Sequence, residues 1–421
     1  MKKDGGFPIW PVGQRPLIPR TVWVLGLVSM FMDISSEIIH ALLPVFLTVT
    51  LGASVALVGV IDGVAEATAS ISKAFSGYLS DRIGRRKPLI LLGYGFGAFS
   101  KPLFALAGSP GLVFGARFVD RIGKGLRGAP RDALVADVTP LEIRGRAYGL
   151  RQSLDTVGAF AGPLAAIGLM LVFANDMRSV FWFAVIPGFI AVALVIFGIE
   201  DRSQGSTIRK TQVPLRLRDL RGLSKDFWAV VGIGVLFTMA RFSEAFLVLK
   251  ANADGLPLAL TPIVLVVMNL VYSVGAYPAG VFADARGAHR PLVLGLACLI
   301  AADLCLAFGQ GLIGTFVGIA LWGGHMALTQ GLLAQLVAER APAAMRGSAF
   351  GVFNLATGLT MLAASVVAGL LWDRAGPSAT FIAGGGFAAL TAVLLIFRRT
   401  KPGERRPGSG PVETLAQAQG D

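Results

Sequence analysis

The chain repeats itself at a fixed distance. Segments 77–89 and 280–292 carry Gly, Asp, Gly, a basic residue, Pro and Leu at matching offsets and lie 203 residues apart. A second pair of segments, 140–150 and 342–352, recurs at a separation of 202 residues, so the match is not one chance motif. A repeat of this size predicts two similar halves of about 200 residues each.

The composition predicts a protein with many membrane spans. The 421 residues are 54% hydrophobic and only 15% charged, with a mean hydropathy of +0.68, whereas about 25% of residues are charged in soluble domains. Apolar runs long enough to cross a bilayer lie at residues 22–49, 54–79, 88–108, 111–136, 147–174, 179–199, 227–250, 258–283, 291–309, 312–337, 347–372 and 378–397. Duplicated halves of six spans each are typical of secondary transporters.

Basic residues predict the orientation of the spans. The termini and the loops that join even to odd spans hold the basic clusters, such as 82–87 and 398–406, whereas the opposite loops hold few basic residues. The protein is expected in the inner membrane, and the positive-inside rule predicts that both of its termini are cytoplasmic. The net charge of +13 is then mostly a topology signal, so no nucleic-acid partner is expected.

The change from apolar to polar sequence predicts four regions. An N-terminal six-helix bundle at 1–199 is followed by a polar cytoplasmic linker at 200–226. A C-terminal six-helix bundle then occupies 227–399, and the polar tail at 400–421 is expected to be disordered. A monomer in the lipid bilayer is expected.

Three motifs carry a family resemblance. Segment 77–89 resembles the signature between helices two and three of the major facilitator superfamily, and 280–292 is its weaker copy. Segment 117–125 resembles the fourth-helix motif of the family, and 158–163 is similar to the fifth-helix Gly-x-x-x-Gly-Pro motif of proton antiporters. The likeness covers about residues 20–398. It implies an all-α membrane protein with twelve transmembrane helices in two six-helix pseudo-symmetric halves.

The first motif predicts a gate at the cytoplasmic face. Asp81 ends the second span, where a carboxylate can meet a helix N-terminus or an arginine of the other half. The family resemblance implies that Asp81 and Arg85 hold this gate shut in the outward-facing state, and a basic topology loop is the alternative. The predicted gate residues are Gly77, Asp81, Arg82, Gly84, Arg85 and Asp284, and the fifth-helix motif residues are Gly158, Gly162 and Pro163.

Ionisable residues inside the predicted spans follow helix faces. Asp33, Glu37 and His40 lie four and three residues apart in the first span, hence on one face. A charged side chain at this depth costs several kcal/mol unless it faces protein or water. Such residues are therefore expected to mark the pathway of a substrate or a proton. The predicted substrate cavity consists of His40, Asp62, Glu66, Asp120, Lys124, Arg241, Glu244, His325, Gln330 and Asn354.

Two carboxylates of the first span are candidates for proton coupling. Burial raises the pKa of a carboxyl group and a nearby cation lowers it, so a carboxylate beside a mobile arginine can exchange its proton as hydration changes. Asp33 and Glu37 lie near the middle of the span, and Arg117 or Arg121 is the expected partner. Either carboxylate is predicted to carry the proton. A static ion-pair network that holds the helices together is the alternative.

These features predict a proton-coupled transporter of a small organic solute that works by alternating access. The fifth-helix motif favours efflux by antiport, whereas the cavity cations suit an anionic metabolite and leave uptake by proton symport open. A metal ion or metal chelate transporter is a weaker alternative, because the carboxylates and His40 of the cavity suit divalent ions. A non-transporting membrane sensor is a further alternative. Neither enzyme activity nor a bound cofactor or metal is expected.

Overall fold

The computed structural model describes residues 17–83, 85–140, 143–199, 224–287, 289–329, 332–341 and 346–397. Throughout these ranges the chain is helical, with short connections and no strand. Nearly all of the predicted linker and the whole predicted tail lie outside the described residues, so their predicted structure stays a prediction.

The first half contains six long helices, one at each predicted span. Ser109 begins the fourth by accepting a hydrogen bond from the backbone amide of Leu112, and Pro110 occupies the first turn, where its missing amide costs nothing. After the first helix the chain continues through Leu43–Val45 and a π-helical turn, Phe46–Thr50. The helices are α1 Arg20–His40, α2 Val55–Ile83, α3 Lys87–Ala105, α4 Pro110–Val138, α5 Arg144–Val172 and α6 Met177–Gly198.

The second half repeats this order with two interruptions. The seventh span is broken at residues 241–244, and the tenth consists of α11 and α12 on either side of 330–331, which lie outside the described residues. The helices are α7 Lys225–Ala240, α8 Ala245–Ala253, α9 Ile263–Arg286, α10 His289–Phe308, α11 Gly311–Thr329, α12 Leu332–Arg340, α13 Arg346–Ala375 and α14 Pro377–Phe397.

The helices are suited to a bilayer. Ten of the described helical stretches are long and apolar enough to span a membrane, and α3 and α4 are not among them. Helix α4 falls short because it carries a row of charged residues, which the protein covers by packing α4 between α2 and α3. Many large apolar side chains face outward, for example Phe197, Ile313 and Phe397. Such a surface is suited to lipid.

The helix contacts confirm the predicted pseudo-symmetry. In the first half α1 packs against α5 and α6, α4 packs against α2 and α3, and α3 packs against α6. The second half has the equivalent contacts: α7 with α13 and α14, α11 with α9 and α10, and α10 with α14. The duplicated sequence therefore folds into two bundles with the same internal packing.

The two halves are joined mainly by α2 and α13. Glycines bring these helices into backbone contact: a β-carbon at Gly63 would lie 2.9 Å from the α-carbon of Leu362, and one at Gly369 would lie 2.6 Å from that of Ala56. Asp373 accepts hydrogen bonds from the first backbone amides of α2, Val55 (3.1 Å) and Ala56 (2.9 Å). The halves are therefore fastened at the end of the molecule where α2 begins and α13 ends.

Candidate functional site

The two coupling candidates lie against the fifth-helix motif. A β-carbon at Gly158 would come 2.9 Å from the β-carbon of Asp33, and one at Gly162 would come 2.6 Å from that of Glu37. Asp33 and Glu37 are one helical turn apart on α1, as are Gly158 and Gly162 on α5. The glycine face of α5 therefore packs closely against the acidic face of α1. The glycines therefore provide the space in which these two carboxylates fit.

A buried ion pair joins α2 to α4. Arg117 Nη2 lies 3.3 Å from Asp62 Oδ1, and both side chains are 5% exposed or less. The other carboxylate oxygen of Asp62 accepts a hydrogen bond of 2.8 Å from Ser243 Oγ. Ser243 belongs to the break between α7 and α8, so Asp62 connects the charged face of α4 to the second half.

A second group of charges surrounds Arg121, one helical turn further along α4. Its Nη1 lies 3.2 Å from Glu66 Oε1, and its Nε lies 3.7 Å from Asp120 Oδ2. Asp120 also accepts a 2.7 Å hydrogen bond from Lys101 of α3, whose ammonium group donates to Ser36 of α1 as well. The charges of Arg117, Asp120 and Arg121 are thus compensated by neighbouring side chains, as charged groups within a membrane require. Arg127 is buried over the Tyr94 ring and forms no ion pair within the described residues.

Part of this cluster is open to solvent between the halves. Lys124 is exposed and the Glu66 side chain is 43% exposed, although both belong to central helices. Arg241 and Glu244 of the broken seventh span form a looser pair at 3.9 Å and are partly exposed. The charges of Glu37, His40 and Glu66 reach Glu244 across the halves. The four solvent-accessible residues Glu66, Lys124, Arg241 and Glu244 therefore define a polar space between the halves that contains both signs of charge.

The arginines do not pair with the carboxylates expected from the sequence. Arg117 pairs with Asp62 and Arg121 with Glu66, because α2 packs directly against α4. Arg121 also lies beside Asp120 of its own helix. Glu37 lies 3.5 Å from His40 Nδ1. Asp33 is half-buried and forms no ion pair or hydrogen bond within the described residues.

The charged groups that reach Asp33 from a distance are Asp155 of α5 and Arg127, Lys124 and Arg131 of α4. Asp155 is itself held by Arg151 at 2.6 Å. Asp33 therefore lies in a polar environment without a fixed partner. A carboxylate in that position can change its protonation state without breaking a formed ion pair.

Several predicted cavity residues lie elsewhere. His325 is fully buried, with its Nδ1 2.9 Å from the Gly295 carbonyl oxygen and its ring against Phe237 and Trp322. It packs within the second half and does not join the charged cluster. Asn354 is half-buried on α13, and Gln330 lies outside the described residues.

The predicted gate is only partly described. Gly77 is half-buried beside Ala129 of α4, and Arg82 and Arg85 are exposed. The side chains of Asp81 and Asp284 and the whole of Gly84 lie outside the described residues. Their role in a gate stays a prediction.

Sequence reasoning missed two contacts of the site. Ser243 is a small polar residue that only the break in its helix directs towards Asp62. Asp373 fastens the opposite end of the molecule, and the only signal in the sequence is an acidic residue at the end of an apolar run. No group of three or more His, Cys, Asp or Glu side chains suited to a metal ion occurs in the described part of the chain.

Comparison with known proteins gives a consistent result. The model of the Major Facilitator Superfamily matches residues 25–364. An uncharacterized MFS-type transporter of Methanocaldococcus jannaschii is 29% identical over 388 residues, which cover 90% of this chain and 95% of the relative. The inner membrane transport protein YajR of Escherichia coli is 24% identical over 380 residues, 88% of this chain and 81% of the relative.

Solved structures show the same fold. The crystal structure of nucleoside transporter NupG matches with a TM-score of 0.70 at 15% identity, over 90% of this chain and 98% of that one. The human organic anion transporter MFSD10 matches with a TM-score of 0.64 at 17% identity, over 90% and 100% of the two chains. At these identities the likeness concerns the fold alone.

Proposed function

Because the chain belongs to the Major Facilitator Superfamily, we propose that it exports a small organic solute across the inner membrane in exchange for protons. It is a multi-pass membrane transporter of some solute and not an enzyme. Proton coupling, the direction of transport and the cytoplasmic position of both termini are the proposed parts. The inner membrane is supported by the similarity to the Escherichia coli inner membrane transport protein.

One observation supports the proton coupling: Asp33 is half-buried and has no ion pair or hydrogen bond in the described structure, while Lys124, Arg127 and Arg131 of α4 act on it from a distance. A half-buried carboxylate of this kind takes up or releases a proton as the surrounding water and cations change. Glu37 is the second candidate, with His40 as its neighbour. Both face the fifth-helix motif, so a movement of α5 relative to α1 alters the environment of both groups.

The contacts between the halves support alternating access. Three hydrogen bonds join the halves in the described part of the chain, two at Asp373 and one from Ser243 to Asp62. The first two close the end that the positive-inside rule assigns to the outside. With its outer end closed, the protein exposes the polar space between the halves to the cytoplasm. Breaking the Asp373 hydrogen bonds is then the first step towards the outward-facing form.

The proposed exchange follows from this geometry. In the inward-facing form, solute enters from the cytoplasm and the Asp33 carboxyl group releases its proton there. After the halves rock about the joint at Asp62 and Ser243, the solute leaves on the outside and the carboxylate takes up a new proton. Because the halves are equivalent bundles, the movement can be largely that of rigid bodies.

The cations that border the space favour a solute with an anionic or acceptor-rich group. Lys124 is exposed, and Arg241 is partly exposed on the opposite half. A lysine and an arginine on two sides can hold one anionic group between them. The same feature supports the second candidate function, which is uptake of a small organic anion by proton symport.

Inside-out membrane vesicles distinguish these functions. A pH-sensitive dye reports proton movement while candidate solutes are added outside the vesicles, which corresponds to the cytoplasmic side. Export by antiport predicts that a transported solute accumulates in vesicles with an acidic interior and releases protons from them. Symport predicts instead that solute preloaded into the vesicles leaves them together with protons. Solute movement that is insensitive to the proton gradient would contradict both.

A further inference from the structure

Asp303 of α10 is the most isolated charge-bearing group among the described residues. It is 1% exposed, and neither of its carboxylate oxygens has a hydrogen-bond partner. The structure places no ion pair on it in the described part of the chain. An uncompensated carboxylate within a membrane costs several kcal/mol, so an occupant that compensates it is expected.

The carboxylate faces a small space shared by three helices. A β-carbon at Gly384 of α14 would lie 3.1 Å from Asp303 Oδ2, 3.3 Å from the carbonyl oxygen of Ala240 and 3.0 Å from the Phe242 ring. The neighbouring Gly385 also faces Asp303, with 3.8 Å from its β-carbon position to Oδ2. Two glycines therefore keep open the space between a carboxylate and a backbone carbonyl.

The Ala240 carbonyl belongs to a helix end. Residues 241–244 are not helical, so α7 stops at Ala240 in the middle of the seventh span. The last carbonyls of a helix lack partners within the helix and carry its partial negative charge. A carboxylate and a helix C-terminus thus face one another, and both need positive charge.

We propose that Asp303 and the Ala240 carbonyl oxygen bind a monovalent cation, with Na⁺ as the fitting ion. Hard cations take oxygen ligands, and carbonyls at broken helices bind Na⁺ in secondary transporters. One carboxylate compensates one positive charge, and no further acidic group of the described chain joins it in a metal-binding cluster. The site lies inside the second half and does not rest on proton coupling at Asp33.

The bound ion would connect α7 and α10, beside the glycines of α14, at the break in the seventh span. The same break carries Arg241, Ser243 and Glu244, which border the polar space between the halves. Occupation of the site by an ion therefore stabilises the segment that contacts Asp62. Protein with a bound ion is expected to unfold at a higher temperature, by an amount that grows with the logarithm of ion concentration.

The test uses purified full-length protein in detergent, with NaCl compared with KCl and choline chloride at equal ionic strength. Bound ²²Na⁺ and the thermal unfolding temperature are both measured. Wild-type protein is expected to bind Na⁺ and to be stabilised by it. Asp303→Asn keeps the shape of the side chain and is expected to lose both effects.

Two glycine variants on α14, one at the proposed site and one away from it, test the proposal even if Asp303→Asn folds poorly. Gly384→Ala places a methyl group in the proposed site and is expected to weaken Na⁺ binding roughly 10- to 100-fold, as changes beside metal ligands do. Gly386→Ala faces open space and should bind Na⁺ like wild type. Absence of saturable Na⁺ binding in wild type, or unchanged binding in Asp303→Asn or Gly384→Ala, would overturn the proposal. A protonated carboxyl group without an ion would give the first of these results.

Discussion

Gly158 of α5 lies directly against Asp33 of α1. A β-carbon at this glycine would come 2.9 Å from the Asp33 β-carbon and 2.7 Å from the carbonyl oxygen of Met30. Any larger residue must therefore push α1 and α5 apart or displace Asp33. The glycine of the fifth-helix motif thus has a direct physical role: it sets the position of a carboxylate that we propose to carry the proton.

Gly158→Ala tests that role. Overpacking a tight contact costs about 1–3 kcal/mol, so we expect a lower unfolding temperature together with a loss of transport. Both are measured on purified protein, by thermal unfolding and by flux in proteoliposomes. Gly168→Ala on the same helix faces open space and serves as the control. Equal behaviour of the two variants would mean that the Gly158 contact is not tight.

The Asp62–Arg117 pair is expected to be structural as well as functional. Arg117→Met leaves Asp62 as a buried unpaired charge, which destabilises proteins by about 3–5 kcal/mol. Combining it with Asp62→Asn removes that charge and should recover much of the folded protein. Thermal unfolding and the yield of monodisperse protein measure this.

The control for these two variants is an ion pair on the exposed surface. Arg340 and Asp226 are 3.4 Å apart, and their side chains are 35% and 75% exposed. Arg340→Met should therefore change stability by only about 0–1 kcal/mol. A similar loss for Arg117→Met and Arg340→Met would contradict the central position of the Asp62–Arg117 pair.

Asp373→Ala is expected to loosen the outer end. It removes two hydrogen bonds that an exposed carboxylate accepts from the start of α2, a helix-capping contact worth about 0.5–2 kcal/mol in all. Spin labels at Thr50 and Ala253, after replacement of Cys298 and Cys305 by serine, should report a larger population of long distances. Arg374→Ala is the neighbouring control. An unchanged distance distribution in Asp373→Ala would show that other contacts close this end.

The predicted orientation has a direct test in the linker. A cysteine at Ser206, in the same cysteine-free background, should resist a membrane-impermeant reagent on intact cells and react after permeabilisation. The reason is the excess of basic residues in the loops on that side. Labelling from outside would mean that the orientation is the opposite one and that the Asp373 contacts lie at the cytoplasmic end.

Much of the fold follows from the sequence. The repeat predicted the equivalent packing of both halves, because similar sequences bury similar faces. The predicted cavity residues Asp120 and Lys124 lie on α4, which packs between α2 and α3 although it is too polar to qualify as a membrane span by its composition. The pattern within one helix determines which residues share a face, and here it brought Asp33 and Glu37 together correctly.

The ion-pair partners could not be predicted in the same way. Arg117 and Arg121 face both α1 and α2, and helix periodicity does not indicate which neighbour lies closer. The structure brings Asp62 and Glu66 into that position because α2 packs on α4. Lys101 of α3 is absent from the predicted site, yet it is buried against Asp120. Such pairings depend on helix rotation and tilt.

We propose above all that Asp33 carries the exchanged proton. Transport by Asp33→Asn in proteoliposomes with an imposed proton gradient tests this most directly. Glu37→Gln is measured beside it. If Asp33 carries the proton, Asp33→Asn abolishes accumulation driven by the gradient but keeps downhill exchange of solute, because the cavity survives without its proton carrier. If both variants still accumulate solute against its gradient, with the wild-type dependence on pH, the claim is contradicted and the coupling residue lies elsewhere, with Asp62 and Glu66 next in line.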